Sequence, residues 1–213
     1  MTGDSAEIAG ALLEERVIAI LRGIRPPRVQ PVVGALVSAG LTFVEITVES
    51  EGGLQTLEEL RATFGSVIHL GAGTILTAQQ AAQAHRAGAQ YLVSPGLFED
   101  VSDYARAHDL LYVPGVLSGT EIGAALRREH TILKLFPAGL MGPEYVRAMR
   151  APYPQARLLA VGNIGVDDIP AFLGAGAAGV ALGSQLVGRD ETPDDVAARA
   201  RAIGAHIRGL TLA

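Results

Sequence analysis

Thr131-Ile132-Leu133-Lys134-Leu135-Phe136-Pro137 is an apolar run of strand character with a single charge inside it. That charge is the only lysine in 213 residues; the other sixteen cationic side chains are arginines. Arginine keeps its proton throughout the neutral range, whereas a desolvated lysine can release it. The chemistry most dependent on that difference is imine formation with a carbonyl compound. A lysine in such a run can also snorkel from the strand end to water. The surroundings of the run must therefore decide between the two readings.

Seven similar runs accompany it: Val17–Arg22, Leu41–Thr47, Val67–Ala72, Gln90–Ser94, Leu110–Pro114, Arg157–Val161 and Ala178–Gly183. Including Thr131–Phe136, their starts lie 20 to 26 residues apart, room for a strand, a loop and a helix. Thr77 with Gln80 and Ser118 with Glu121 have capping-box spacing, and Gly142-Pro143-Glu144 reads as a helix start. Ala39-Gly40, Ala87-Gly88 and Ala175-Gly176 read as helix ends before a strand. Eight strand–helix repeats predict an α/β chain folded as a (β/α)8 TIM barrel, one domain over residues 1–213, with an extra N-terminal helix over Met1–Glu15. A doubly wound open sheet is the alternative, but no G-x-G-x-x-G follows the first run.

Composition narrows the function. Hydrophobic residues make up 49% of the chain, enough for a large core. With no cysteine there is no disulfide and no thiolate nucleophile or metal ligand. A net charge of −5 gives no reason to expect nucleic acid. Asp4, Glu7, Glu14 and Glu15 near the start do not resemble a secretory signal. The uncharged stretch Ile169–Gly188 has spanning length, but Pro170, several glycines and Ser184-Gln185 interrupt it. It is read as a helix end, a buried strand and a turn, so no membrane partner is expected and a cytoplasmic location is. His69, His85, His108, His130 and His206 are scattered without ligand spacing, so neither metal nor cofactor is expected. His69 could face the barrel and is read as structural.

Strand side chains alternate in direction. Ile132, Lys134 and Phe136 share one face of their run. On the second run Val44, Ile46 and Val48 are purely aliphatic and suit the helix layer, which turns Phe43, Glu45 and Thr47 inward. Arg22 closes the first run on the parity of Ile18 and Ile20. A carboxylate and an amine then enter one core from different strands, with a guanidinium at its rim. Buried charges are seldom kept without a partner or a function; an ionic plug is the structural alternative. Gly71-Ala72-Gly73-Thr74 and Ser94-Pro95-Gly96 end the third and fourth runs. Val161-Gly162-Asn163-Ile164-Gly165 and Leu182-Gly183-Ser184 end the seventh and eighth, where such barrels commonly hold phosphate on backbone N–H groups.

Val44-Glu45-Ile46-Thr47, Gly71-Ala72-Gly73-Thr74-Ile75-Leu76, Ser94-Pro95-Gly96 and Leu133-Lys134-Leu135-Phe136-Pro137-Ala138 occur in order. The set resembles the 2-keto-3-deoxy-6-phosphogluconate (KDPG) / 4-hydroxy-2-oxoglutarate (KHG) aldolases, class I pyruvate aldolases, over nearly the whole chain. The resemblance implies Lys134 as the Schiff-base lysine and Glu45 as the acid–base residue. It implies Thr74 at the substrate carboxylate, Pro95 and Phe136 around the pyruvyl group, and Arg22 over the bound keto acid. Gly162, Gly183 and Ser184 are implied at the phosphate end. The implied protein is a metal-free, cytoplasmic homotrimer acting on a small keto acid.

Two departures bear on the substrate. Glu49 stands where many phosphogluconate-type members carry arginine, and Ala160-Val161-Gly162-Asn163 stands where they read Pro-Thr-Gly-Gly. Val161 is similar to the phosphogalactonate-type branch, as are Ile18–Gly23 and Met141–Tyr145. The expected reaction is reversible cleavage of a 2-keto-3-deoxy-6-phospho-sugar acid to pyruvate and glyceraldehyde 3-phosphate. Cleavage of 4-hydroxy-2-oxoglutarate to pyruvate and glyoxylate is the alternative within the family. Outside it stand a phosphate-binding barrel isomerase or synthase using Glu45 as base, and a non-catalytic sugar-phosphate binding barrel.

Overall fold

Among the described residues, nine parallel strand segments join in one sheet that curls into a nearly closed ring. The structure is a computed structural model describing residues 4–188 and 190–211. The segments are β1 (Val17–Leu21), β2 (Phe43–Thr47), β3 (His69–Gly73), β4 (Tyr91–Val93), β5 (Leu111–Val113), β6 (Gly115–Val116), β7 (Ile132–Leu135), β8 (Arg157–Val161) and β9 (Gly179–Leu182). The helices are α1 (Asp4–Glu15), α2 (Pro26–Ser38), α3 (Gly53–Phe64), α4 (Ala78–Arg86), α5 (Glu99–Ala107), α6 (Gly119–Arg127), α7 (Ala138–Met141), α8 (Pro143–Arg150), α9 (Ile169–Gly174) and α10 (Pro193–Thr211). The expected α/β barrel is the observed architecture, and α1 covers most of the expected Met1–Glu15 helix. Residues 1–3 of that expectation lie outside the described residues.

The fifth run differs from its expected Leu110–Pro114 span. It is split at Pro114 into β5 and β6, which occupy the two ends of the strand order. Proline has no N–H to give to a ladder, so the pairing breaks there. Its carbonyl still serves: the Lys134 N–H donates to Pro114 O at 2.9 Å, while Ser94 N–H donates to Val113 O at 3.2 Å. One broken strand thus joins β4 on one side to β7 on the other and closes the ring. The third run also starts later than expected. Gly65–Val67 forms a 3₁₀ turn with Val67 exposed, and pairing begins at His69.

Alternation along the strands produces two apolar layers. Leu133 and Leu135, Val44 and Ile46, and Val17, Ala19 and Leu21 pack outward beneath the helices. Ile132, Phe43, Ile18, Tyr91, Val113 and Leu159 fill the ring, joined by Ile8, Ala9 and Leu12 of α1. The first helix therefore stoppers the end where the strands begin. Glu15, its last residue, fastens it there by accepting the N–H groups of Thr42 at 2.8 Å and Phe43 at 3.0 Å.

The punctuation follows the sequence. Ser118 and Glu121 form a reciprocal capping box on α6, and Thr77 accepts the Gln80 N–H at the start of α4. Gly40, Gly88 and Gly176 close helices at positive φ. The stretch Ile169–Gly188 resolves into α9, β9 and a turn. No described helix is long and apolar enough to cross a membrane.

Candidate active site

Lys134 sits at the third position of β7, on the inward parity of Ile132, and is 7% exposed. Its Nζ lies 5.2 Å from the ring centroid of Phe136, two residues further on. The carboxyl of Glu45 enters from β2 and is 2% exposed. Neither side chain takes part in any of the described ion pairs. Both line a cavity of about 320 Å³ that opens at the ends of the strands. A sealed ionic plug would have paired them; here an amine and a carboxyl share an open chamber.

Space for Glu45 comes from its neighbours on β3. A methyl group on Gly73 would lie 1.9 Å from Glu45 Oε1, and one on Gly71 would lie 2.2 Å from the Tyr91 ring. These glycines do more than end a strand: they are the missing side chains that let two larger groups into the ring. Burial raises the Glu45 carboxyl above its ordinary value, Lys134 and Arg22 pull it back, and Glu49 pushes it up. Glu45 Oε2 is buried without a hydrogen-bond partner.

The rim is organised by Arg22, just beyond β1. Its guanidinium donates to Thr74 Oγ1 at 3.0 Å and lies 3.2 Å from the Glu49 carboxylate. Thr74 holds φ at 61°, rare for a β-branched residue, and this turns its hydroxyl toward the arginine. The loops after β1 and β2 are tied together by Ser50, whose hydroxyl accepts the Gly23 N–H at 3.2 Å and bonds Thr47 Oγ1 at 2.7 Å. Glu49, the departure noted in the sequence, thereby stands beside Arg22. The pair is exposed, and such pairs contribute at most about 1 kcal/mol, so Arg22 is free to exchange partners.

The opposite wall comes from β8 and β9. Val161, Gly162, Asn163, Gly183 and Ser184 all line the chamber. Asn163 adopts φ 55°, which asparagine tolerates better than most residues. Gly162 leaves room for Phe136, since a methyl group there would approach the ring to 2.7 Å.

Nine of the eleven residues singled out from the sequence line one chamber: Arg22, Glu45, Lys134, Phe136, Val161, Gly162, Asn163, Gly183 and Ser184. Thr74 reaches it through Arg22. Pro95 does not line it; it stands exposed past β4, with its carbonyl close against Gly115. Sequence reasoning missed Gln185, Ile164 and Val187 on the wall, and Tyr91 inside the ring. Tyr91 could have been found by extending the parity argument to the fourth run. His69 lies at the stoppered end, stacked on Phe43 with centroids 4.4 Å apart, and burial lowers its pKa. Among the described residues no three His, Cys, Asp or Glu side chains converge as a metal site would require.

The family model "KDPG and KHG aldolase" matches residues 8–201. The chain belongs to this family. It is 33% identical over 187 residues to the 2-dehydro-3-deoxy-6-phosphogalactonate aldolase of Escherichia coli K12, covering 87% of this chain and 91% of that protein. It is 34% identical over 164 residues to the 2-dehydro-3-deoxy-phosphogluconate aldolase of Treponema pallidum, covering 76% of this chain and 78% of that one. A solved structure described as native KDPGal superposes with a TM-score of 0.88 at 31% identity, over 92% of this chain and 96% of the other. Identity is so similar for the two named activities that it cannot separate them within the family. The wall residues of the chamber have to.

Proposed function

We propose that this aldolase works as a single-domain class I enzyme, with Lys134 as the imine-forming amine and Glu45 as the proton shuttle. The observation that carries the reading is the amine and the carboxyl entering one open chamber from β7 and β2 without being consumed in an ion pair. Neutral Lys134 attacks the C2 ketone of a 2-keto-3-deoxy sugar acid, and loss of water leaves an iminium. Glu45, directly or through a water, takes the proton of the C4 hydroxyl. The C3–C4 bond breaks, its electrons move to the iminium, and an aldehyde leaves from the resulting enamine. Protonation at C3 and hydrolysis of the imine release pyruvate and restore the amine.

Arg22 and Thr74 suit the carboxylate end of the keto acid, and Phe136 covers the pyruvyl group. Pro95, which stands outside the chamber wall, has no part in this reading. Gly162, Asn163, Gly183 and Ser184 offer the backbone turns after β8 and β9 to a phosphate. The substrate favoured here is a phosphogalactonate-type acid giving glyceraldehyde 3-phosphate, because Val161 lies on the wall facing it. The working enzyme is read as a cytoplasmic homotrimer without cofactor; exposed Leu140 and Met141 on α7 supply apolar surface for subunit contact.

Borohydride added with pyruvate tests the mechanism. One reduced pyruvyl adduct should appear, mapped to Lys134 by peptide mass spectrometry. An unmodified Lys134 overturns the reading. Cleavage rates of the two C4 epimers and of 4-hydroxy-2-oxoglutarate test the substrate. A strong preference for the gluconate epimer removes the valine argument, and release of glyoxylate in preference to either would replace the phosphorylated substrate altogether.

A further inference from the structure

Glu45, Gly71 and Tyr91 form one row across β2, β3 and β4: Glu45 pairs with Gly71, and Gly71 with Tyr91. The middle member has no side chain, and the tyrosine ring fills that gap. Its centroid comes within 5.8 Å of Phe43, which also belongs to β2. The ring therefore reaches across β3 toward the strand that carries Glu45. Tyr91 is 0% exposed, and its hydroxyl has no hydrogen-bond partner among protein groups. The same is true of Glu45 Oε2. Two orphaned polar atoms inside one barrel are costly, and phenylalanine would fill the space without that cost.

We propose that Tyr91 is a positioning residue for Glu45: its hydroxyl donates to the ionised carboxylate, directly or across one bound water, and keeps it ready to accept the substrate's proton. This inference rests on Glu45 being the proton shuttle. The charged and titratable groups around the pair are few. Lys134 faces Glu45 from β7, and Arg22 and Glu49 face it from the loops beyond β1 and β2. Glu15 at the end of α1 and Glu45 itself bear on Tyr91, and His69 lies below, stacked on Phe43. Burial, followed by those two carboxylates, raises the Tyr91 phenol well above its ordinary value, so it remains a donor. A hydrogen bond given to a carboxylate favours its charged form.

Tyr91→Phe tests this, since the phenyl ring fills the same space and the fold is retained. Imine trapping with pyruvate and borohydride should remain at the parental level. The acid limb of kcat/KM should move up by about one pH unit, the scale of a hydrogen bond to a charged group. Below that limb kcat/KM should drop roughly tenfold. In a Glu45→Gln background the same substitution should have no further effect on turnover, because the two residues act as a unit. A variant with an unchanged acid limb and unchanged kcat, whatever its melting temperature, overturns the inference. So does a full additional loss of turnover in the Glu45→Gln background. Failure of trapping in the parent enzyme would instead sink the reading on which the inference stands.

Discussion

Ile132 and Lys134 occupy the same face of the same strand, two residues apart, and so do Phe43 and Glu45. The lower member of each pair is buried in one cluster with Leu12, at the end that α1 closes. The upper member lines an open chamber beside Arg22. Inward parity is common to both ends, and height along the strand decides which chemistry a position can hold. At the closed end apolar groups pack against a helix. At the open end a carboxyl and an amine line the chamber, with the Arg22 guanidinium on the same wall.

The largest effect should come from replacing the amine at the open end. Lys134→Arg removes the proposed nucleophile, and turnover should fall on the order of 10⁶-fold, as when other covalent enzymes lose theirs; steady-state assays and loss of the borohydride adduct check it. Glu45→Gln should slow cleavage by about 10²- to 10⁴-fold while the adduct still forms.

The same variant sharpens the comparison through pH. Burial makes the folded chain hold the Glu45 proton more tightly than the unfolded chain, whose carboxyl keeps its ordinary value of 4.5. Between 4.5 and the raised folded value the native state binds more protons, so this carboxyl lowers stability as pH rises through that window. Melting temperatures should therefore favour Glu45→Gln over the parent least at pH 4.5 and below, and increasingly above it.

The closed end should behave in the opposite way. Leu12→Ala removes a fully buried side chain and should cost about 2–5 kcal/mol in denaturant unfolding. At temperatures where that variant is folded, kcat should stay within about twofold of the parent. A loss of kcat as large as that of Glu45→Gln would break the division between the two ends. The smallest effect is expected at the rim. Glu49→Gln frees Arg22 from an exposed pair, so KM for the keto acid should fall about two- to fivefold with kcat unchanged.

Alternation made much of this legible in the sequence. The aliphatic parity of Val44 and Ile46 turned Glu45 inward, and the structure keeps that division for β1, β2 and β7 alike. Residues that act by absence were harder to read. Gly71 and Gly73 looked like a rim turn because glycine has no side chain to reveal which face it serves. Their function emerges only from what would collide with them. The break at Pro114 was likewise hidden, because a proline ending a run gives no sign that pairing resumes one residue later. Glu49 was noticed as a substitution, but its partner is set by the Ser50 tether between two loops, a contact 27 residues apart in sequence.

The helix at the bottom of the ring has a kinetic consequence. With α1 residues packed into one end of the ring, the chamber lies toward the other end, and what enters from that side leaves by it. On the proposed role of Lys134, whose side chain lines the inner wall, the three-carbon keto fragment stays bonded to the protein after cleavage while the aldehyde fragment is free. Departure is therefore queued: the aldehyde goes first and pyruvate second. In the synthetic direction the order of arrival reverses, and pyruvate must be seated before its partner can follow.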